Sequence, residues 1–188
     1  MTALLITGLQ VGWAQTSWVI DKSHSKIGFN VTHLVISEVE GSFKEYDASV
    51  TSTSDDFDGA KVAFSAQVAS IDTDNEKRDE HLRSADFFDA AQYPELKFEG
   101  NLIKKGSTYT LPGKLTIHGT TRDITLKVKY NGTIQDPWGN TKAGFKLTGD
   151  INRKEYGLKW GALTEAGGAV VSDEVEIICH VELQKQSE

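Results

Sequence analysis

The sequence is poor in cysteine, proline and methionine, and these shortages limit what the chain can be. Of its 188 residues, one is cysteine, three are proline and one is methionine. A single cysteine excludes a disulfide framework within the chain, and so little proline excludes a collagen-like or proline-rich fibre. Hydrophobic residues make up 38% and charged residues 25%. The length and composition therefore predict one globular domain with a full core or an enclosed cavity.

Basic charge and long apolar runs are also scarce. The chain has 20 Lys and Arg against 27 Asp and Glu, a net charge of -7. This charge disfavours nucleic acid as a partner, because polyphosphate is repelled at long range. The longest uncharged apolar stretch, residues 3–14, is shorter than the ~20 residues of a membrane-spanning helix. No integral membrane span is expected.

Residues 1–14 carry no charge, and we interpret them as part of a signal peptide. An apolar segment at residues 3–6 is followed by small residues, Gly12 and Ala14, at the positions that precede a cleavage site. The basic segment that usually begins a signal peptide is missing, and an N-terminal strand is the alternative. The signal-peptide interpretation predicts a mature domain over residues 15–188 that works outside the cytoplasm.

Apolar and polar residues alternate through most of the chain, which is typical of strands with one buried face. With a further strand near residues 41–50, the pattern predicts about eight strands. We also expect a strand end near Ala69, a hairpin loop at residues 119–123 and a turn at residues 136–140. The alternating sets are Ile27/Phe29/Val31, Val62/Phe64/Ala66/Val68, Phe98/Gly100/Leu102, Tyr109/Leu111/Gly113/Leu115/Ile117, Ile124/Leu126/Val128/Tyr130, Phe145/Leu147/Gly149/Ile151 and Val175/Ile177/Cys179/Val181/Leu183.

One charged stretch breaks the alternation and predicts a short helical segment around residues 75–91. Good helix formers follow Asp74 and Asn75, either of which can cap the helix, and a second turn is expected at residues 84–89. Tyr93 and Pro94 end the segment. No linker or internal repeat interrupts the chain.

Antiparallel strands with a single helix predict an all-β fold, either a closed barrel or a sandwich. Closure is favoured because the inward positions mix large rings with Gly100, Gly113 and Gly149, which leave out side-chain filler. An eight-stranded barrel is either filled by side chains or holds one slender ligand. The residues alone leave both possibilities open.

Catalytic motifs are absent: there is no Gly-x-Ser-x-Gly, His-Glu-x-x-His, phosphate loop or Cys-x-x-Cys. The run at residues 21–25 resembles a catalytic cluster, but we interpret His24 and Ser25 as hydrogen-bonding residues that fix the start of a strand. His33 is a candidate metal ligand with His24 or a polar donor at a cavity mouth. Two histidines without a matching carboxylate or thiol are weak evidence, so no metal site is predicted. Cys179 is expected to be a buried, inert thiol.

Several sequence motifs together carry a resemblance to a known family. They are Trp18-Val19-Ile20-Asp21, His24-Ser25-Lys26-Ile27-Gly28-Phe29, Val31-Thr32-His33, Gly41-Ser42-Phe43, Ser70-Ile71-Asp72-Thr73, the run Arg78 to Asp89, Tyr93-Pro94, Gly113 to Gly119 and Arg153 to Leu158. On these motifs the chain resembles the YceI family, bacterial polyisoprenoid-binding proteins of lipocalin-like fold. The resemblance covers essentially the whole mature chain. Tyr156 departs from it, because the family commonly has Phe there.

The resemblance implies an extended eight-stranded antiparallel lipocalin-like β-barrel in the periplasm, without catalysis or a cofactor. It implies that an internal tunnel binds a polyisoprenoid, an isoprenoid quinone, a polyprenyl phosphate or a fatty-chain lipid, and storage or transport of that lipid is the further expectation. Arg78 and Arg83 are the candidate residues that contact its head group, and a homodimer is the candidate assembly. The alternatives are a filled barrel used in adhesion or assembly, and an enzyme using Asp21, His24 and His33. The predicted ligand-binding residues are Phe29, Val31, His33, Phe43, Phe64, Val68, Phe87, Phe88, Phe98, Leu115, Ile117, Leu126, Phe145, Leu158 and Trp160.

Overall fold

A computed structural model describes residues 15–163 and 168–186, so the expected signal peptide lies outside the described residues. In these ranges the chain forms twelve strands and one α-helix. The strands are β1 (Thr16–Ile20), β2 (Lys26–His33), β3 (Ser37–Phe43), β4 (Tyr46–Ser52), β5 (Lys61–Gln67), β6 (Ile71–Asp72), β7 (Glu95–Asn101), β8 (Ile103–Lys105), β9 (Thr108–Ile117), β10 (Thr120–Gln135), β11 (Thr141–Asn152) and β12 (Val171–Lys185), and the helix is α1 (Glu76–Arg83).

The strands close into an eight-membered antiparallel barrel, as predicted. The path β1, β4, β5, β7, β9, β10, β11, β12 returns to its start, because β12 also pairs with β1 through Trp18 and Lys185. Farther along the same edge of β12, the partner strand changes from β1 to β2, and Val31 of β2 pairs with Val175 of β12. The next wall strand is formed by β3 and β4 in succession. Closure gives β1 and β12 a partner strand on both sides, as a barrel requires.

Alternation in the sequence becomes the two faces of each barrel strand. In β9, Leu111, Leu115 and Ile117 are buried, whereas Lys114 is exposed. The inward residues of the barrel strands belong to one continuous apolar cluster. Burying these rows is the main source of stability, at roughly 25 cal/mol per Å² of apolar surface.

The predicted hairpin loop at residues 119–123 is wrong, because the connection is shorter. Ile117 pairs directly with Thr120, so His118 and Gly119 form a two-residue turn with φ of 49° and 70°. Two positive φ values are what tight hairpin turns require. Residues 121–123 are polar because they face solvent from a paired strand. The turn predicted at residues 136–140 is present between β10 and β11.

The predicted helix is present and is capped by Asn75, whose side-chain oxygen accepts the Arg78 backbone N–H at 3.1 Å. It is shorter than the expected helical segment because Ser84 is extended, with φ of -70° and ψ of 170°. Residues 85–92 continue as turns before β7 begins at Glu95. Within the described ranges, no helix has the length and apolar character needed to cross a membrane.

The glycines on the inner face leave out side-chain filler, as predicted, and neighbouring side chains occupy the space. A Cβ at Gly113 would lie 2.4 Å from the Phe98 ring, and one at Gly41 would lie 2.2 Å from the Phe29 ring. Gly100 also faces the Phe98 ring, and Gly149 faces Leu126. These glycines therefore accept neighbouring side chains rather than a ligand. Because the two rings lie against the wall at the glycines, they leave the barrel axis less filled.

Candidate functional site

An apolar cavity of about 240 Å³ lies inside the barrel. Its wall consists of alternate residues of the barrel strands, with residues of α1 and of the loops. Along β12 the inner row runs from Val175 to Leu183, about 26 Å at the ~3.3 Å rise of a strand residue. Among the described residues that form this wall, Arg153 is the one that carries a charge. The cavity is long and narrow, which suits a single apolar chain.

Eleven predicted ligand-binding residues lie in the cavity wall: Phe29, Val31, Phe43, Phe64, Phe88, Phe98, Leu115, Ile117, Leu126, Phe145 and Leu158. Their contact with a ligand stays a prediction. The wall also contains residues that were not predicted, namely Ile20, Ile27, Gly28, Ala48, Val50, Phe57, Val62, Leu82, Leu96, Leu102, Leu111, Ile124, Val128, Leu147, Ile151, Arg153, Val175, Ile177, Cys179, Val181 and Leu183. Strict use of the two-residue period would have found most of them.

Four predicted ligand-binding residues, His33, Val68, Phe87 and Trp160, are not in the cavity wall. His33 is in phase with Val31 but is the last residue of β2. Val68 begins a 3₁₀ turn, Val68–Ser70, which interrupts the alternation of β5, and it is buried elsewhere in the core. Phe87 and Trp160 pack on each other, with ring centroids 5.1 Å apart, and both contact the His81 ring.

Aromatic rings close one end of the barrel, which we call the Phe57 end. Phe57 is 1% exposed and packs against Trp18, Tyr130 and Phe145, with ring centroids 5.0 to 5.6 Å apart. Its loop is fixed to the wall because the Tyr109 hydroxyl donates to the Asp56 carbonyl at 3.0 Å. Nothing in the period of the sequence indicated this ring, because Phe57 lies in a loop.

The opposite end, which we call the helix end, lies near α1 and the β2–β3 turn. Val31, Val175 and Ile151 form a row of wall residues across three neighbouring strands at this end. All three are partly exposed, whereas Phe57 at the other end is fully buried. The two ends of the cavity are therefore built differently.

Arg153 joins the segment that follows β11 to β12 at the helix end. The side chain is 4% exposed. Its Nε donates to the Ser172 carbonyl at 2.8 Å, and its Nη1 donates to the carbonyls of Leu158 and Trp160 at 2.7 and 2.6 Å. Asp173 supplies the opposite charge at 3.2 Å from Nη2. Burial lowers the pKa of Arg153, but with a carboxylate beside it the group remains a cation.

The predicted head-group residues Arg78 and Arg83 do not lie in the cavity wall. Arg78 donates to the hydroxyl and to the carbonyl of Thr73 at 2.7 and 2.6 Å. Arg83 lies 3.5 Å from the Ile71 carbonyl and borders a separate, open and polar depression. Both side chains face the backbone of the α1 region because α1 packs beside β6. Their contact with a head group stays a prediction.

The run at residues 21–25 forms a polar network on the barrel, as predicted for His24 and Ser25. Asp21 accepts from Lys142 Nζ at 2.6 Å and lies 3.1 Å from His24 Nδ1, while Glu182 lies 3.3 Å from Lys142 Nζ. The bond from Lys142 is the main reason that the pKa of Asp21 is well below its usual range. Ser25 accepts the Glu182 backbone N–H at 2.9 Å.

Asp21, His24 and Glu182 could together hold a metal ion by distance, but the Lys142 ammonium already lies between the two carboxylates. The candidate pairing of His24 with His33 does not form. His24 precedes β2 and His33 is its last residue, so the seven residue steps of the strand, at ~3.3 Å each, hold the two residues more than about 20 Å apart.

Cys179 is buried, as predicted, and its side chain lies in the cavity wall. Burial raises the pKa of its thiol to about 11. The thiolate is the reactive form of cysteine, so this sulfur behaves as part of the apolar wall at neutral pH.

Tyr156, which departs from the family pattern, is 1% exposed and is not in the cavity wall. Its hydroxyl is the one buried side-chain polar atom without a partner among the described residues. Burial raises its pKa to about 12. The extra hydroxyl therefore lies in the core rather than in the cavity wall.

Fold and site together define a class: a closed antiparallel β-barrel built around an elongated apolar cavity. The model of the YceI-like domain family matches residues 18–183. The chain is 38% identical over 166 residues to protein YceI of Escherichia coli, which covers 87% of this chain and 84% of that one. It is 37% identical over 158 residues to a UPF0312 protein of Photorhabdus laumondii, covering 84% and 82% of the two chains. The chain belongs to the YceI-like family.

Solved structures have the same fold. The Campylobacter jejuni YCEI protein superposes with a TM-score of 0.69 at 33% identity, covering 89% of this chain and 96% of that one. BcnA of Burkholderia cenocepacia gives a TM-score of 0.75 at 24% identity, covering 87% and 98%. A polyisoprenoid-binding domain of Saccharophagus degradans gives 0.63 at 14% identity, covering 90% and 98%. The last two, at this identity, support the fold alone.

Proposed function

We propose that this protein binds, without catalysis, the chain of one isoprenoid or similar long-chain lipid inside the barrel. The observation that carries the proposal is the elongated cavity, whose wall, in the part of the chain that the structure describes, is apolar apart from Arg153. The name of the Saccharophagus degradans domain, with the same barrel fold, makes an isoprenoid the first ligand to test. A narrow cavity of about 240 Å³ fits one chain better than the two chains of a phospholipid.

Transfer energetics favour a carrier that exchanges lipid with membranes. Burying a five-carbon isoprene unit from water is worth very roughly 4 kcal/mol, at ~0.8 kcal/mol for each carbon group. A bilayer interior is as apolar as the cavity, so transfer from membrane to protein has a net free energy near zero. Such a protein loads and unloads reversibly, as storage or transport requires.

The wall recognises the chain and leaves the head group outside. Four of the five Arg153 N–H groups have protein acceptors within the described residues, and Asp173 already balances its charge. A phosphate placed there would meet Asp173, which disfavours an anionic head inside the cavity. Quinones, fatty amides and polyprenyl phosphates are all compatible with a head group that stays at the mouth.

An enzyme acting on such a lipid is the weaker alternative. Asp21 and His24 belong to the network with Lys142 and Glu182, not to the cavity wall. The thiol of Cys179 is protonated at neutral pH because of its raised pKa. Within the described residues, the wall thus offers no group suited to general base or nucleophilic catalysis.

We further propose that the protein works in the periplasm, in keeping with the apolar, uncharged residues 1–14.

Native mass spectrometry of the mature protein, purified without detergent, tests the proposal, followed by solvent extraction and lipid identification. We expect a stoichiometric lipid with one long apolar chain. A protein that is unliganded and stays so after incubation with a nonaprenyl alcohol would contradict the proposal and favour a filled-barrel assembly module.

A matched pair of variants on β5 locates the bound chain. Val62 lies in the cavity wall, whereas its neighbour Ala63 is exposed on the outer face. Val62→Trp places an indole in the cavity and is expected to abolish lipid binding, while Ala63→Trp retains it. Equal loss in both variants, with folding intact, would place the lipid elsewhere.

A further inference from the structure

Three consecutive large apolar side chains are exposed at the tip of the β2–β3 hairpin. Leu34, Val35 and Ile36 are 38%, 70% and 85% exposed. We call these three residues the lip. Exposed apolar residues scattered singly are normal on protein surfaces, but a contiguous group at a projecting turn is typical of an interaction site.

The lip lies at the helix end of the barrel, beside the end of the cavity. Val31, three residues before Leu34, is in the cavity wall. The Leu34 backbone N–H donates to the Val170 carbonyl at 2.9 Å, which fixes the hairpin to the segment that leads into β12. A surface or molecule that binds the lip therefore lies next to this end of the cavity.

The lip keeps its apolar side chains at a turn whose backbone favours other residues. The Ile36 N–H donates to the His33 carbonyl at 3.2 Å, and the two residues between them, Leu34 and Val35, have φ of 52° and 65°. Turns of this kind favour Asn and Gly, and a β-branched residue at positive φ is an outlier. The His118–Gly119 turn of the same barrel uses a glycine at the second position. We infer that the apolar side chains of the lip have a function, because the positive φ angles at Leu34 and Val35 cost conformational free energy.

Size and charge indicate a neutral lipid surface as the occupant. A stable protein interface buries about 800 Å² on each partner, which three side chains at a convex tip cannot supply. None of the adjoining strand residues, His33, Ser37 and Glu38, is a lysine or an arginine. The whole chain has a net charge of -7. Attraction to anionic lipid is therefore not the driving force.

We propose that the lip inserts into the surface of a neutral bilayer and holds the helix end of the cavity against the membrane. This inference rests on the proposed function in one respect, namely that the molecule which enters the cavity at the helix end is a lipid. Docking of the empty protein does not depend on the cargo. A chain leaving the bilayer then enters the cavity without crossing water.

Flotation with phosphatidylcholine vesicles tests docking. We expect the protein to float with the vesicles at both low and high salt. The double variant Val35→Asn/Ile36→Asn is expected to lower partitioning by about a hundredfold, roughly tenfold for each apolar side chain withdrawn from lipid. Asn is compatible with the positive φ at position 35, so this variant remains folded.

Trp138 provides the matched control. It is 84% exposed at another hairpin tip, between β10 and β11, toward the Phe57 end. Trp138→Asn is expected to leave flotation unchanged. Absence of flotation by the unaltered protein, flotation only with anionic vesicles at low salt, or loss of flotation only in Trp138→Asn would each overturn the proposal. So would a dimer in solution that the lip variant dissociates.

A loading assay separates this inference from the proposed function. A nonaprenyl alcohol is supplied either in phosphatidylcholine vesicles or from a small volume of ethanol, and loading is followed by native mass spectrometry. The lip variant is expected to load from ethanol to the normal extent and from vesicles at least tenfold more slowly. Equal vesicle loading rates in the variant and the unaltered protein would overturn the role of the lip. If the unaltered protein loads from neither source, the proposed function fails, while flotation still decides docking.

Discussion

The two ends of the barrel enclose the same cavity but are stabilised by different physics. At the Phe57 end, a loop inserts an aromatic ring among Trp18, Tyr130 and Phe145. At the helix end, a buried cation, Arg153, binds three backbone carbonyls, and the neighbouring wall residues are partly exposed. Aromatic packing closes the first end, whereas a hydrogen-bonded segment and an exposed apolar turn border the second.

Because of this difference, we expect the two ends of the barrel to differ in how readily they open. Dispersion and burial make the Phe57 end costly to open, because a fully buried ring loses all its contacts at once. At the helix end the wall residues Val31, Ile151 and Val175 are partly exposed, so this end can rearrange locally while Arg153 keeps its partners. We therefore expect lipid to enter and leave at the helix end.

The largest expected effect is at the Phe57 end. Phe57→Ala removes a ring that is 1% exposed and should lower the free energy of unfolding by about 3 to 5 kcal/mol. Urea denaturation followed by tryptophan fluorescence measures the change. Trp138→Ala, which removes an exposed ring toward the same end, should change it by less than about 0.5 kcal/mol. Similar losses in the two variants would mean that Phe57 is not a structural plug.

At the helix end, Arg153→Met should lower the free energy of unfolding by about 2 to 4 kcal/mol, because buried carbonyls lose their donors. Lys154→Met is the matched control, since Lys154 Nζ contacts the same Asp173 at 2.8 Å from an exposed position. Its expected cost is below about 1 kcal/mol. Equal stability of the two variants in urea would mean that the bonds of Arg153 do not stabilise the helix end.

Asp21 lies at the junction where β1, toward the Phe57 end, passes to β2, toward the helix end. Its pKa is lowered mainly by Lys142, so the stabilisation is fully present at neutral pH. It is lost as pH falls below about 4, the pKa of the unfolded carboxyl. Asp21→Asn should cost about 1 to 2 kcal/mol at pH 7 and flatten the acid limb of the stability profile.

Asp123 is the control for this junction. It accepts from Lys114 at 2.9 Å, but the two side chains are 83% and 68% exposed, against 15% and 12% for Asp21 and Lys142. Asp123→Asn should change the free energy of unfolding by less than about 0.5 kcal/mol. An acid limb that is unchanged in Asp21→Asn would show that the junction does not depend on this ion pair.

The smallest effect is expected in the β2–β3 turn and has the opposite sign. Val35→Asn relieves a β-branched residue at φ of 65° and should raise the free energy of unfolding by roughly 0.5 to 1 kcal/mol. Ile36→Asn, which has no positive φ to relieve, should leave it unchanged. Thermal unfolding of both variants measures the difference, and destabilisation by Val35→Asn would argue that the turn is not strained.

Much of the barrel could be predicted because its signal is local. A period of two in β9 and β12 identifies their inner rows without knowledge of the partner strands. The Asn75 cap of α1 is likewise a signal carried by neighbouring residues. The same reasoning failed where a strand ended or was interrupted, as at His33 and Val68, because the pattern does not say where the cavity stops.

The sequence by itself determined the class of fold, the strand rows that face inward and the apolar character of the cavity wall, because alternation acts over a few residues. The tertiary structure alone decided that Phe57 closes one end, that Arg153 fastens the other and that Gly41 and Gly113 accept aromatic rings. These contacts join residues far apart in the chain. Their geometry exists only after the strands have paired and the barrel has closed.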